Sequence, residues 1–488
     1  MTSSSAQPAG LTGEGSAPTS GVSREVLDSI GTPSRVLTRI GELEFFDGLP
    51  ADATAASVYD QLDVMRGVEV FLSCLTAASN HAMREGFRSV GIHRCNQIGV
   101  VDRLDSAWIY LTGNTETAYG VNFLDLKTDG PTVVDVPPNS LGFVDDFWFG
   151  FVADLGNAGP DRGQGGRYLF LPPGWDGEVP DGYFVYRSPT YANWFLIRAM
   201  EGLEALRAGV RIYPLAQANA PAPTEFISIA GVPHNTVHAN NFEFFTAVDS
   251  VVQDEPIESL DAERRGLLAS IGIVKGKPFA PDDRLRARLV EAAALGNATA
   301  RTLAFKPRDP LAYYYPDSSW KNIWPGGSPD FLVDGVRLLD ARAAFFYIAT
   351  GNTPAMTVAM PGVGSQYAWT AEDASGAWLD GSRRYRLTLP PDIPAKNFWS
   401  IIVYDPQTRS LLQTDDRYPS LNSLTGTVAA NADGSIDLYF GPDPDDDHNS
   451  NWIRTVPGKG WFTFLRLYGP LDPWFDKTWR PGEIERID

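Results

Sequence analysis

Apolar residues fall at Val58, Leu62, Met65, Val68, Phe71, Leu72, Leu75 and Ala78, close to the 3.6-residue period of a helix with one apolar stripe, and predict a helix over 58–87. From Ser89 the pattern shortens. The segments 91–101, 107–112, 118–126, 132–136, 147–154, 168–171 and 183–186 are aromatic or β-branched, and turns such as Thr-Asp-Gly-Pro and Pro-Pro-Gly-Trp-Asp-Gly separate them. That punctuation predicts a β domain of about seven strands. Trp194, Ile197, Met200, Leu203 and Leu206 return to helical spacing, so a helix is expected from Ala192 to Gly209. The Ala/Pro stretch 214–223 reads as a linker. Helices are expected over 241–251, 261–271 and 281–295, the last with Asp282 and Asp283 at its start and Gly296 as its stop. A helix over 335–350 then leads into a second strand series.

These elements predict a mainly β fold: two antiparallel β-sandwich or jelly-roll-like domains joined by a helical segment. The expected organisation is a disordered leader over 1–40, an N-terminal β-rich domain over 41–240, a helical insert over 241–334 and a C-terminal β-sandwich domain over 335–488. Aromatics make up 12% of the 488 residues, with 46 Gly and 37 Pro, which suits short strands and tight turns better than a bundle.

The net charge of −20 sets a field that repels phosphate backbones, so no nucleic-acid partner is expected. No stretch approaches the ~18 uninterrupted apolar residues of a membrane span. The first 32 residues lack a basic and an apolar segment of the secretory kind, which favours a cytoplasmic over an exported protein. Two cysteines, Cys74 and Cys95, cannot build a disulfide framework and mildly favour a reducing compartment.

The C-terminal strands carry Asn397-Phe398-Trp399-Ser400, Val403-Tyr404-Asp405, Arg417-Tyr418, Asn451-Trp452, Arg466-Leu467-Tyr468 and Trp479-Arg480-Pro481. In this order they resemble the bacterial domain of unknown function 1214, which is normally preceded by domain of unknown function 1254. The first half resembles that partner in Leu111-Thr112-Gly113-Asn114-Thr115-Glu116-Thr117-Ala118-Tyr119-Gly120, in Leu124-Asp125-Leu126, and in Arg187-Ser188-Pro189-Thr190 followed by Trp194 and Arg198. Glu116 stands where the family has Asp. The resemblance runs from about Asp60 to Pro481 and names a family whose chemistry is not established, whose members are often exported.

A Gly-Asn turn feeding a strand with Glu116 and Tyr119 can gather a carboxylate, an amide, a hydroxyl and a phenol at one mouth, suited to a polyhydroxylated ligand or to acid/base work. The alternative is a hairpin corner in which Asn114 and Thr117 satisfy backbone groups. Arg187 and Arg198 can share a cavity and hold a ligand carboxylate. They can equally be structural ion pairs, with Thr190 or Ser188 capping a helix. The leading expectation is an enzyme, a hydrolase or lyase, acting on a small polar or carbohydrate-like substrate between the two β domains. In it Glu116 and Tyr119 are catalytic, and Asn114, Thr117, Asp125, Arg187, Thr190 and Arg198 bind substrate. It needs no cofactor. The competing expectation is a non-catalytic ligand-binding or scaffold protein. His234 and His238 are four apart but lack a third ligand, and the acidic loop 443–447 lacks the glycine and twelfth-position acid of a calcium loop. No metal residues are assigned, and oligomeric state is left open.

Overall fold

The computed structural model describes residues 21–444 and 449–488; most of the acidic loop 443–447, and residues 1–20 of the expected leader, lie outside them. Residues within 21–40 are not featureless as expected, since Arg24–Ile30 is a helix and Arg35–Thr38 opens a three-stranded sheet with Gly41–Phe46 and Leu49–Pro50. No residue from 21 to 50 is buried.

Among the described residues helix and strand are equally represented, 28% each, with no closed barrel. The fold is therefore mixed α and β rather than mainly β. In the first half a six-stranded sheet runs in the order Glu225–Ser228, Gln97–Val101, Tyr119–Asp125, Ala192–Ala199, Ser140–Asp146, Phe151–Gly156. A four-stranded sheet (Phe184–Arg187, Gly166–Leu171, Thr132–Val136, Arg211–Pro214) accompanies it. In the second half a five-stranded sheet (Lys321–Asn322, Ser365–Thr370, Phe462–Pro470, Ala395–Tyr404, Ser420–Asn422) accompanies a four-stranded one (Trp452–Arg454, Ile436–Gly441, Tyr385–Leu389, Ile484–Arg486). The sheets are not purely antiparallel, because Glu225–Ser228 pairs in parallel with Gln97–Val101, Phe184–Arg187 with Gly166–Leu171 and Trp452–Arg454 with Ile436–Gly441. Each is a partner added at or near a sheet edge after a long connection, which a parallel pairing requires.

The expected helix over 192–209 is a strand for its first eight residues, and only Leu203–Gly209 is helical. Every residue of Ala192–Ala199 is buried. A central strand packed on both faces carries a continuous apolar run, and such a run also satisfies i, i+3 spacing by accident. Its two faces serve different cores. Phe195 and Ile197 join Val100, Val134, Tyr168 and Ile212 in one cluster, while Trp194 and Leu196 join a larger one.

That larger cluster also holds Phe71 and Phe87 from the first long helices, Phe345 and Phe346, and Tyr367, Trp369, Tyr404 and Phe464 of the five-stranded sheet. The two halves thus share one core. Helices Asp52–Ser73 and Asp283–Phe305 cross within it at close range. A Cβ at Gly67 would stand 2.5 Å from Ala292 Cβ, and one at Gly296 2.6 Å from the Phe71 ring. Gly296 therefore does not stop its helix as expected. It sits mid-helix to admit the Phe71 ring, and the helix continues to Phe305.

A candidate anion site between the halves

Strand Tyr119–Asp125 lies antiparallel to Ala192–Ala199 in a register that sets Tyr119 beside Arg198. Because strand side chains alternate, Arg198 shares the face of Trp194 and Leu196 and looks toward the second half. In the second half Phe462–Pro470 is buried throughout, with Phe462, Phe464, Arg466 and Tyr468 on one face. Arg466 is registered beside Tyr367. Between these strands lies a cavity of about 60 Å³. Its lining includes Asn114, Tyr119 and Arg198 from the first half, Tyr367 and Arg466 from the second, and Trp324 between them.

Arg198 is 8% exposed and Arg466 5% exposed, and neither forms an ion pair among the described residues. Arg466 donates from Nη2 to Tyr404 Oη at 2.8 Å and to the Thr112 carbonyl. Tyr404 in turn donates to the Gly113 carbonyl at 2.7 Å, so the turn at Thr112 and Gly113 is held by the second half. The Arg198 side chain makes no hydrogen bond among the described residues and lies 5.3 Å from the centre of the Tyr119 ring. Four buried polar atoms of lining residues lack a partner: Arg198 Nε, Arg466 Nε, Trp324 Nε1 and Asn114 Oδ1. Three of the four are donors.

Burial is the largest influence on both guanidiniums and opposes their charge; their pKa values nevertheless lie above that of free arginine because ionised phenols nearby would attract them, an attraction that operates only far above neutral pH, and both groups are cationic at neutrality. Tyr404 and Tyr468 are no counter-ions at neutral pH, since burial raises their pKa well above the ordinary tyrosine value. Magnitudes decide what is left over. Taking an ion out of water costs several kcal/mol even after relaxation, whereas a cation–π contact returns ~0.5–2 kcal/mol. Arg466 recovers part of the difference through its hydrogen bonds. Arg198 does not. Asp154 lines a smaller adjoining pocket of about 20 Å³ that Arg198 also borders, but the two form no ion pair. Burial pushes Asp154 up to about 7 against its hydrogen bond with Thr353, so near neutrality it is only about half ionised.

Of the residues expected to act together, the cavity gathers Asn114, Tyr119 and Arg198. Thr117 stands behind Asn114, whose Nδ2 donates to its Oγ1 at 3.2 Å. Glu116 does not line the cavity; its carboxylate accepts from Thr115 Oγ1 and Asn422 Nδ2, bridging the halves from outside. Asp125 caps the short helix Leu126–Asp129, accepting from the Lys127 and Thr128 amides at 3.1 Å. Arg187 does not share the cavity of Arg198: it is exposed on an edge strand and donates to the Trp175 carbonyl at 2.7 Å. Thr190 caps no helix. Its Oγ1 accepts from Phe147 N at 3.0 Å and donates to the Ala192 carbonyl. His234 lies in a two-residue strand and stacks on Trp108, and His238 contacts Arg409 Nη2 through Nε2 at 3.4 Å. Burial and that cation lower the His238 pKa to about 3. Among the described residues no group of three or more His, Cys, Asp or Glu is placed to hold a metal, and no helix is long and apolar enough to cross a membrane.

Arg466, Tyr367 and Tyr404 were not expected at the site. A signal existed for Arg466: a charged residue inside Phe-Thr-Phe-Leu-Arg-Leu-Tyr, an otherwise apolar strand, is an exception that calls for a function.

Fold and site together define a two-part protein that closes mixed sheets and a helical layer around a cationic, phenol-rich cavity. The chain carries both parts of one family arrangement. It matches the protein of unknown function DUF1254 over residues 95–214 and the protein of unknown function DUF1214 over residues 364–472. Each matched segment supplies one of the two arginines that line the cavity. No curated protein matched the chain. Among solved structures, the VPA0106 protein from Vibrio parahaemolyticus is similar over 87% of this chain and 100% of its own, at 18% identity and a TM-score of 0.50, a likeness of fold. An uncharacterised protein from Burkholderia cenocepacia covers 89% of this chain and 97% of its own, at 12% identity and a TM-score of 0.38.

Proposed function

We propose that the chain binds a small polar molecule in the cavity between its halves, with Asn114, Tyr119 and Arg198 of one half and Tyr367 and Arg466 of the other as the gripping groups. The observation that carries this reading is the convergence of polar groups from both halves, several of them unpartnered, on one concave space. On this reading each half is a pair of sheets packed face to face, a sandwich whose outer layer leaves the inner sheet free to face its counterpart. The buried free thiols Cys74 and Cys95 support a reducing, cytoplasmic setting.

Turnover is a second reading, and Asp154 favours it, because a carboxylic acid poised near neutrality beside a bound ligand suits proton transfer. A hydrolase or lyase built this way would use Tyr119 in the cavity and Asp154 from the adjoining pocket as its proton-transfer groups and leave Glu116 to hold the wall through Asn422. The test is a thermal-shift screen of the full chain against neutral and charged metabolites, repeated with Asn114→Ala and Tyr119→Phe. A ligand at about 100 times its dissociation constant adds roughly 2.7 kcal/mol. A hit weakened by both substitutions supports the reading, and hits indifferent to both move the site elsewhere.

A further inference from the structure

Two guanidiniums face one cavity without a carboxylate, and we infer that the missing partner is the ligand: a small organic carboxylate, clamped by Arg198 and Arg466 with its carbon body against Trp324, Phe345 and Phe464. This rests on the reading of the cavity as a ligand site and adds the chemical class. Three observations converge on it. Each arginine is buried and has no ion pair among the described residues. The unpartnered buried atoms of the lining residues are mostly donors, which an acceptor group would match and a second cation or a donor-rich amine would not. The third is the composition of the remaining lining, where Trp324, Phe345 and Phe464 are aromatic and buried, a surface suited to hydrocarbon and not to a hydrated ion.

The same facts separate a carboxylate from a phosphate or sulfate. A planar carboxylate is satisfied by two forks of parallel N–H donors, the geometry in which guanidinium is most specific. A tetrahedral oxyanion spreads its charge over three or four oxygens and calls for further backbone or side-chain donors. Here part of the lining offers aromatic carbon instead. The cavity of about 60 Å³ limits the body to a short chain or a single ring unless the walls move. Arg466 is tied to Thr112 and Tyr404 and so arrives pre-oriented, while Arg198, free of hydrogen bonds, is the member that turns to meet the ligand.

Isothermal titration of the full chain at fixed ionic strength tests the assignment, with butyrate and benzoate as probes, butyramide and benzamide as their neutral matches, and inorganic phosphate as the tetrahedral anion. The expected result is binding of a carboxylate at least about 10-fold tighter than its amide, and loss of about 10- to 100-fold in affinity with Arg198→Gln, the fold-change of one charge-assisted hydrogen-bonded contact. Arg198→Lys, which keeps the charge and loses the planar fork, should fall between. Because Arg466→Gln removes anchors of the Thr112 turn, it is read only alongside Arg198→Gln, whose side chain holds nothing else. Equal binding of acid and amide, or an affinity unmoved by Arg198→Gln, overturns the assignment. Phosphate binding tighter than either carboxylate overturns the class. Absence of carboxylate binding also overturns it, and the cavity reading then survives only if a neutral ligand is weakened by Asn114→Ala and Tyr119→Phe.

Discussion

Arg198→Met should make the unliganded protein more stable. The substitution replaces a buried cation that has no hydrogen bond and no ion pair with a flexible apolar side chain of similar length, in a site whose neighbours include Leu196, Phe143 and Met356. Against the change stands one cation–π contact with Tyr119, at most about 2 kcal/mol. In its favour stands an uncompensated desolvation penalty of several kcal/mol, plus a fraction of the ~1.5–3 kcal/mol of burying a whole Met, since the Arg stem is already buried. The balance is a gain of about 1–3 kcal/mol. At roughly 2.1 cal/mol/K per residue, 488 residues unfolding together carry about 1 kcal/mol/K of entropy, so Tm should rise by about 1–3 °C. Urea unfolding followed by tryptophan fluorescence is the better assay, because an upward midpoint at unchanged slope isolates stability from a change in the unfolded ensemble. A loss of 1 kcal/mol or more at unchanged slope would refute the reasoning, since it would mean that Arg198 has an internal partner worth more than its burial costs. The variant should also lose stabilisation by the ligand, the trade expected where a site stores unpaired charge for binding.

Burial raises Asp154 and Glu255 to about 7 and Asp146 to about 6. Their folded pKa values exceed the unfolded ones, so the folded state holds the protons more tightly; the stability they contribute is complete below about pH 4 and is lost as pH rises to about 7. Each group costs up to about 1.4 kcal/mol per pH unit in that window. His238, lowered to about 3, pulls the other way below the ordinary histidine value, so the readout is the difference between variant and parent: Asp154→Asn should raise the urea midpoint relative to the parent more at pH 7.5 than at pH 5, and an equal difference at both would remove Asp154 from this account. Gly296→Ala drives a methyl into the Phe71 ring and should cost about 1–3 kcal/mol by overpacking, read from the same midpoints, whereas Gly266→Ala, with nothing within 4 Å of its added carbon, should cost nothing measurable. Removing residues 1–50, of which those from 21 onward bury no side chain, should leave the midpoint within about 0.5 kcal/mol.

The strands of both halves were legible wherever aromatic and β-branched runs sat between Gly and Pro turns, as in Tyr119–Asp125 and Ala395–Tyr404. The failures have different causes. Ala192–Ala199 is buried on both faces, and burial all round erases the periodicity from which element type is read, whereas the helix through Gly296 keeps a single buried stripe and was cut short because a glycine that makes room for Phe71 looks in sequence like a helix stop. At the site, Asn114, Tyr119 and Arg198 were legible because one short stretch and one strand carry them. Arg466 and Tyr367 were not, because only the packing of one sheet against another brings them within reach of residues more than 160 positions earlier. Glu116 drew attention as the acidic group of its motif, yet a single turn was enough to aim it at Asn422 instead of the cavity.

The core shared by the two halves has a consequence for how such a chain can change. Family comparison divides it into two segments, yet Tyr119 and Leu196 of one belong to the same buried cluster as Tyr404 and Phe464 of the other, so parting the segments exposes part of that cluster to water. Each segment made alone would present a broad apolar face to water and invite aggregation. The two parts can drift in sequence, but they cannot be exchanged one at a time between unrelated partners, because each is the other's interior.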